Sequence, residues 1–233
     1  MGHRIIQQAR GHGSLTYRTN KKAFRISVNY PRESGTGEVL KLLDLACYSA
    51  PVAKIMLNGK IFYNIAANGL YEGQKIEIGS DNIFNGNITQ LGKLPLGTNV
   101  FCIETRAGSG PKLVRSSGLS AKITRKEQKG IYVLMPSKEE KCFSPENRAT
   151  IGVISASGRL DKPMLKAGNA WHKAKATGGR MYPQTSAVKM NAIDHPFGSG
   201  RGKRIKSKIV KRWAPAGTKV GLLRPRKTGR KSK

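Results

Sequence analysis

The chain has 233 residues, with 43 Lys or Arg against 13 Asp or Glu, and a formal charge of +30. A free body with that charge repels itself, and a dense, fixed array of negative charge relieves the repulsion, so nucleic acid is the leading partner. A membrane is disfavoured: no amphipathic helix is clear, no apolar run approaches the ~20 residues of a span, and the N-terminus lacks both a signal-peptide core and the Ser or Thr that myristoylation wants at Ile6.

In chain order, the first segment is a basic arm. Met1 to Arg32 holds seven Lys or Arg and no acid. Its scattered apolar residues bury too little to offset ordering entropy, so it should be extended or disordered when free and ordered on an anion. From Glu33 the composition becomes ordinary: eighteen basic and twelve acidic residues up to Ala170. A first group of strands is expected over 38–45, 52–57, 60–65 and 76–79. Asn58-Gly59 between two apolar runs predicts a type I′ hairpin, which needs positive φ at both positions. The stretch 83–98, rich in Gly, Asn and Pro, reads as a linker. A second group is expected over 100–105, 112–115, 121–125, 131–135 and 149–155. Short strands with frequent turns imply small barrels or sandwiches, and two barrels in tandem fit the length. No helix longer than about two turns is convincing; a short one is placed at 163–167. From Trp171 onward there are eighteen basic residues and one acid, Asp194.

Enzyme motifs are absent. Cys47, Cys102 and Cys142 form no CxxC pair and read as buried thiols. His3, His12, His172 and His195 have no metal-site spacing. GxSxG and GxxxxGK[ST] do not occur, and Gly108-Ser109-Gly110, followed by Pro111 and another strand, reads as a hairpin turn and not a phosphate loop. Asp194-His195, in the stretch MNAIDHPFGSG, stays open between three readings: a rigid corner before Pro196, a functional His near an RNA active site, and a protein-only hydrolase. Basic residues interleaved with Gly and with Tyr17, Phe24, Tyr30, Trp171, Tyr182, Phe197 and Trp213 suit RNA of irregular shape, where arms thread between helices and rings stack on splayed bases.

Several stretches carry a resemblance. MGHRIIQQARGHGS with Tyr17-Arg18, Lys166 to Ala170 with His172-Lys173-Ala174-Lys175, MNAIDHPFGSG, Ala214 to Leu222, and Arg226 to Arg230 together resemble the universal large-subunit ribosomal protein two family in its archaeal and eukaryotic-cytosolic form. The family's signature is usually written MNPVDHPHGGG. This chain departs from it at Ala192, Phe197 and Ser199, and at Ser186 and Ala187 it lacks the usual basic run.

The resemblance implies an all-β fold: an OB-like barrel (33–85) followed by an SH3-like barrel (86–160). It also implies a basic N-terminal arm (1–32) and a Gly-rich C-terminal extension (161–233) without regular structure. It implies a structural constituent of the large ribosomal subunit, not an enzyme. Such a protein is a primary rRNA binder near the peptidyl-transferase centre that supports subunit association, found in the cytoplasm on the ribosome. Large-subunit rRNA and neighbouring ribosomal proteins are the implied partners, with no membrane and no small-molecule substrate. No protein cofactor is implied, and at most structural Mg2+ or K+ shared with rRNA. The expected rRNA-binding residues in the N-terminal arm are Arg4, Arg10, His12, Tyr17, Arg18, Lys21, Lys22 and Arg25. Those after the second barrel are His172, Lys173, Lys175, Arg180, Lys189, Asn191, Asp194, His195 and Phe197. The tail contributes Arg201, Lys203, Arg204, Lys206, Lys208, Lys211, Arg212, Trp213, Arg224, Arg226, Lys227 and Arg230. No catalytic or metal-ligating residue is expected.

Overall fold

A computed structural model describes residues 11–21, 23–177, 182–195 and 197–200. They fall into two compact units, one spanning Lys21–Lys166 and one drawn from the two flanking ends of the chain.

The larger unit is all-β. Its first strands are β1 (Gly35–Leu43), β2 (Val52–Leu57), β3 (Lys60–Ile65) and β4 (Lys75–Ile78). The β2–β3 hairpin turns at Asn58 (φ 48°) and Gly59 (φ 75°), the positive pair that a type I′ turn demands. Leu57 then faces Lys60, and Met56 faces Ile61. β1 lies between β2 and β4, antiparallel to both, with a bulge between Val39 and Lys41. The later strands are β5 (Ile88–Gln90), β6 (Asn99–Phe101), β7 (Ile103–Glu104), β8 (Pro111–Leu113), β9 (Ala121–Glu127), β10 (Gly130–Leu134), β11 (Glu140–Phe143) and β12 (Arg148–Ile151). Ten strands join in the order β11-β10-β9-β6-β12-β5-β4-β1-β2-β3, and β7 pairs with β8.

Two apolar cores fill this unit, as tandem small barrels require. The first gathers Val39, Val52, Ile55, Ile65, Ile76 and Ile88 with Phe101, Cys102 and Ile154. The second gathers Leu91, Leu94, Val100, Ile103, Ile123, Val133, Phe143 and Ile151. The segment 100–103 is the shared wall. Val100 and Ile103 face one core, Phe101 and Cys102 the other. Two successive residues on one side break the alternation of a strand, and the break is visible: Cys102 has φ 53°. Its N–H bonds to the carbonyl of Val114, which also has positive φ, at 52°. A β-branched residue there is strained, so the surrounding packing must hold it.

The polar groups around Tyr30 at this wall are satisfied. The Tyr30 hydroxyl donates to the Cys102 carbonyl at 2.7 Å, so the Thr150 hydroxyl, also at 2.7 Å, donates to the phenol oxygen and accepts from Asn64 Nδ2. Burial raises the Tyr30 pKa well above that of a free phenol.

The differences from the sequence reading have physical causes. β5 lies inside the stretch read as a linker; it has three residues, and its partners β12 and β4 come from elsewhere in the chain. β11, an edge strand of sequence EKCF, shows no apolar alternation, and only Phe143 is buried. A three-turn helix, α1 (Ala167–Thr177), stands in the C-terminal extension where no helix beyond two turns was expected. It buries no residue, so no apolar stripe announces it. Four alanines supply its propensity. The reading of all three cysteines as buried thiols holds only for Cys102, whose pKa burial pushes up to about 12; Cys47 is half-buried and Cys142 is exposed.

Candidate nucleic-acid interface

The stretch MNAIDHPFGSG forms a loop closed on itself. The Asn191 carbonyl accepts the N–H groups of Asp194 (3.1 Å) and His195 (3.2 Å). Gly198 N–H returns to the His195 carbonyl at 2.8 Å, and Ser199 N–H to the Met190 carbonyl at 3.1 Å. The closure leaves no room for a side chain at position 198, where a Cβ would lie 2.2 Å from the Asn191 carbonyl oxygen. Only glycine fits such an approach.

Inside the loop, His195 is 2% exposed and Phe197 is 8% exposed. Their rings lie 5.1 Å apart, tilted by 55°. His195 Nδ1 accepts the Phe197 N–H at 3.0 Å. An accepting Nδ1 carries no proton, so the neutral imidazole bears its hydrogen on Nε2. That Nε2 is buried and has no partner among the described residues. Burial also lowers the His195 pKa, which keeps the ring neutral. Asp194 is exposed and does not bond to the imidazole. The adjacent acid and base therefore form no Asp-His dyad. The loop instead holds an N–H donor fixed in its interior.

His12, Arg18, Lys21, Arg25, Lys189 and Asn191 are exposed, and Tyr17 is half-buried. Arg18 Nε donates to the Gly13 carbonyl at 3.2 Å, which ties the arm into a local turn. Asn20 Nδ2 reaches the Ala176 carbonyl at 3.4 Å, so the arm meets α1 within the smaller unit. On α1, Lys175 Nζ sits 4.5 Å over the Trp171 ring, and His172 meets that ring edge-on at 4.9 Å. Trp171, His172, Lys173 and Lys175 are all exposed. Arg4, Arg10, Lys22, Arg180, Arg201, Lys203, Arg204, Lys206, Lys208, Lys211, Arg212, Trp213, Arg224, Arg226, Lys227 and Arg230 lie outside the described residues.

In the larger unit, Glu104 is fully buried within an internal anion cradle that sequence reasoning passed over as ordinary strand. Its carboxylate accepts the N–H groups of Gly108 (3.3 Å) and Gly110 (3.1 Å), the Arg148 backbone N–H (3.0 Å) and the Arg148 guanidinium. The Gly-Ser-Gly turn is indeed no phosphate loop, because its amides already hold a carboxylate of the same chain. A surface groove of about 770 Å³ adjoins this site, lined by residues that include Arg32, Ser34, Gln90, Lys93, Glu146 and Arg148. Lys93 is paired there with Asp81 at 2.7 Å. Such a lining, assembled from distant segments, carries no local sequence signal. Among the described residues no group of three or more His, Cys, Asp or Glu could hold a metal ion, and no helix is long and apolar enough to cross a membrane.

Fold, charge and loop define a class: an all-β protein of two small cores, carrying basic flanking segments suited to RNA. Residues 84–214 match the family described as Ribosomal Proteins L2, C-terminal domain. The chain is 40% identical to the large ribosomal subunit protein uL2 of Archaeoglobus fulgidus over 98% of this chain and 99% of that one. It is 41% identical to the uL2 protein of Hyperthermus butylicus over the full length of both, and 40% identical to that of Natronomonas pharaonis over 100% and 98%. The chain belongs to the uL2 family of ribosomal proteins.

Proposed function

We propose that the chain is a structural constituent of the large ribosomal subunit and not an enzyme. It binds rRNA, stabilises the RNA fold near the peptidyl-transferase centre and supports subunit association and translation on cytoplasmic ribosomes. The observation that carries the reading is the self-closed loop 190–200, with its unpartnered His195 N–H, in a chain similar end to end to proteins named for the large subunit. A buried donor without an acceptor costs roughly 1–3 kcal/mol, and a phosphate, base carbonyl or ribose oxygen would relieve that cost.

In this reading residues 33–85 and 86–160 are the folded body, and 1–32 and 161–233 are arms laid along rRNA. Exposed Arg18, Lys21, Arg25, Lys173, Lys175 and Lys189 neutralise phosphates, and His12 hydrogen-bonds to the RNA; Trp171 offers a stacking face. Neighbouring ribosomal proteins are the other partners. The chain needs no cofactor of its own, and Mg2+ or K+ at the interface belongs to the RNA.

The test is sedimentation of a lysate through a high-salt sucrose gradient with detection of this chain. Cofractionation with large subunits is expected. A chain left at the top of the gradient overturns the proposal.

A further inference from the structure

One face of the first barrel does not match the rest of the chain. From Ile61 to Gly92, Lys75 is the only basic residue, against Glu72, Glu77 and Asp81, in a molecule where 43 of 233 residues are Lys or Arg. Besides Ile61 at its start, the same stretch exposes three large apolar side chains: Tyr71 at 64%, Ile83 at 51% and Phe84 at 72%. Single exposed apolar residues are ordinary. These are grouped and fixed. The Gln74 carboxamide accepts the Tyr71 N–H and donates to the Asn85 carbonyl, both at 3.4 Å, so one side chain joins the two turns that carry the rings. Asn85 Nδ2 donates in turn to the Asn68 carbonyl. Behind them, Asn87 accepts from Glu77 N–H at 3.0 Å and donates to the Asn82 carbonyl at 3.1 Å, and Asn82 donates to the Glu77 carboxylate at 2.8 Å. A network of amides therefore joins the turns that carry Tyr71 and Phe84 in an acidic stretch where Glu72 accepts the Leu42 N–H and Asp81 pairs with Lys93.

We propose that the Tyr71–Phe84 tip is a docking site for a basic protein segment that lays an apolar or Lys/Arg side chain across the two rings. The inference rests on the reading of the chain as a large-subunit constituent. Charge decides the occupant. A nucleotide stacked on Tyr71 would bring its phosphates toward Glu72, the next residue, and like charges repel at separations under a Debye length, about 8 Å. A basic polypeptide meets the same groups with opposite charge. Its Lys or Arg heads find the carboxylates or the ring faces, and their stems cover the apolar tip. A second copy of this chain, at +30, would meet long-range self-repulsion.

The experiment places the photo-crosslinker benzoylphenylalanine at position 84 of the full chain in cells, isolates large subunits on a gradient, irradiates them, digests with RNase and identifies adducts by mass spectrometry. Cofractionation of the crosslinker-bearing chain tests the parent reading separately. Given cofractionation, the expected result is one dominant RNase-resistant adduct with a peptide richer in Lys and Arg than in Asp and Glu. Its yield should fall about tenfold in Tyr71→Ser, the scale of losing one aromatic anchor. Tyr71 is exposed and is tied to Gln74 through its backbone N–H and carbonyl and not through its ring, so this variant keeps the fold. A nucleotide adduct, an acidic peptide, a peptide of this same chain, an undiminished yield in Tyr71→Ser, or no adduct at all would overturn the proposal.

Discussion

Arg148 and Glu104 form a buried ion pair that bridges β12 and β7. Arg148 Nη2 lies 3.1 Å from Glu104 Oε1, Nε lies 3.4 Å from Oε2, and the Arg148 backbone N–H adds a third bond at 3.0 Å. The guanidinium also reaches the Pro31 carbonyl through Nη1 and lies 5.3 Å from the Tyr30 ring centre. It thus fastens the segment entering the first core to a strand of the second. The Asn147 side chain bonds to the Glu104 carbonyl at 3.2 Å, so the residue before Arg148 holds the same corner.

This arrangement sets the first prediction. Removing one partner of a buried pair leaves the other charge uncompensated, at a cost of about 3–5 kcal/mol. Arg148→Met strands the Glu104 carboxylate, and Glu104→Gln leaves the guanidinium uncompensated and replaces one of the two oxygens that accept from Gly108, Gly110 and Arg148 with an NH2 that cannot accept. Each single variant should lose stability on that scale in urea denaturation, and the double variant should lose clearly less than the sum of the two. Additive losses would show that the pair is not coupled.

The three thiols should separate by reactivity. Thiolate is the reacting species, and burial pushes the Cys102 pKa up to about 12, so it stays a thiol at neutral pH. Cys142 is exposed on edge strand β11, while Cys47 is half-buried with its pKa raised by desolvation. Alkylation of the native chain should label Cys142 first, Cys47 more slowly, and Cys102 only after unfolding. Peptide mapping of a labelling time course checks the order, and early labelling of Cys102 would contradict the shared wall between the cores.

Much of the β framework is legible in the residues themselves. Strands 52–57 and 60–65 follow from two apolar runs around Asn58-Gly59, because local sequence dictates a tight hairpin. The break at Cys102 is not legible, since the reversal of facing comes from two cores competing for one segment. The burial of Glu104 is equally hidden, because its partner lies 44 residues away. For the loop, MNAIDHPFGSG signals a turn and leaves the role of its His open. It does not reveal that Asp194 points away while His195 and Phe197 fold inward. That outcome depends on Phe197 N–H finding His195 Nδ1, a bond invisible to residue type.

The loop should be weakened by acid. Burial lowers the His195 pKa in the folded state, so below the ordinary histidine range, near 6.5, the unfolded loop binds a proton more readily than the folded one. Loop stability is therefore fully present above about pH 6.5 and falls as the pH drops toward the lowered folded value. Protonation of Nδ1 also removes the acceptor for the Phe197 N–H. Hydrogen-exchange protection of the Phe197 amide, corrected for its intrinsic rate, should be flat above that range and decline below it. His195→Phe should show low protection with no such decline. Protection that rises on acidification would mean the imidazole is held charged instead.

The basic surface should reveal itself through salt. If the arms neutralise about ten phosphates, log K for the cognate rRNA falls against log salt with a slope near −7 to −9. A single exposed contact such as Arg18→Gln, Lys175→Gln or Lys189→Gln should flatten that slope by about one unit, with similar weakening for matched and unmatched RNA. His195→Phe should behave differently. The imidazole is neutral and buried, so it releases no counterion, and its Nε2–H can only select an acceptor at a fixed place. Its loss should leave the slope unchanged and weaken cognate rRNA more than an unrelated RNA, by roughly the 1–3 kcal/mol of an unmade buried hydrogen bond. Titrations of both RNAs at four or five salt concentrations separate the two kinds of residue. A slope near −2 for the intact chain would leave the phosphate-neutralising arms without support.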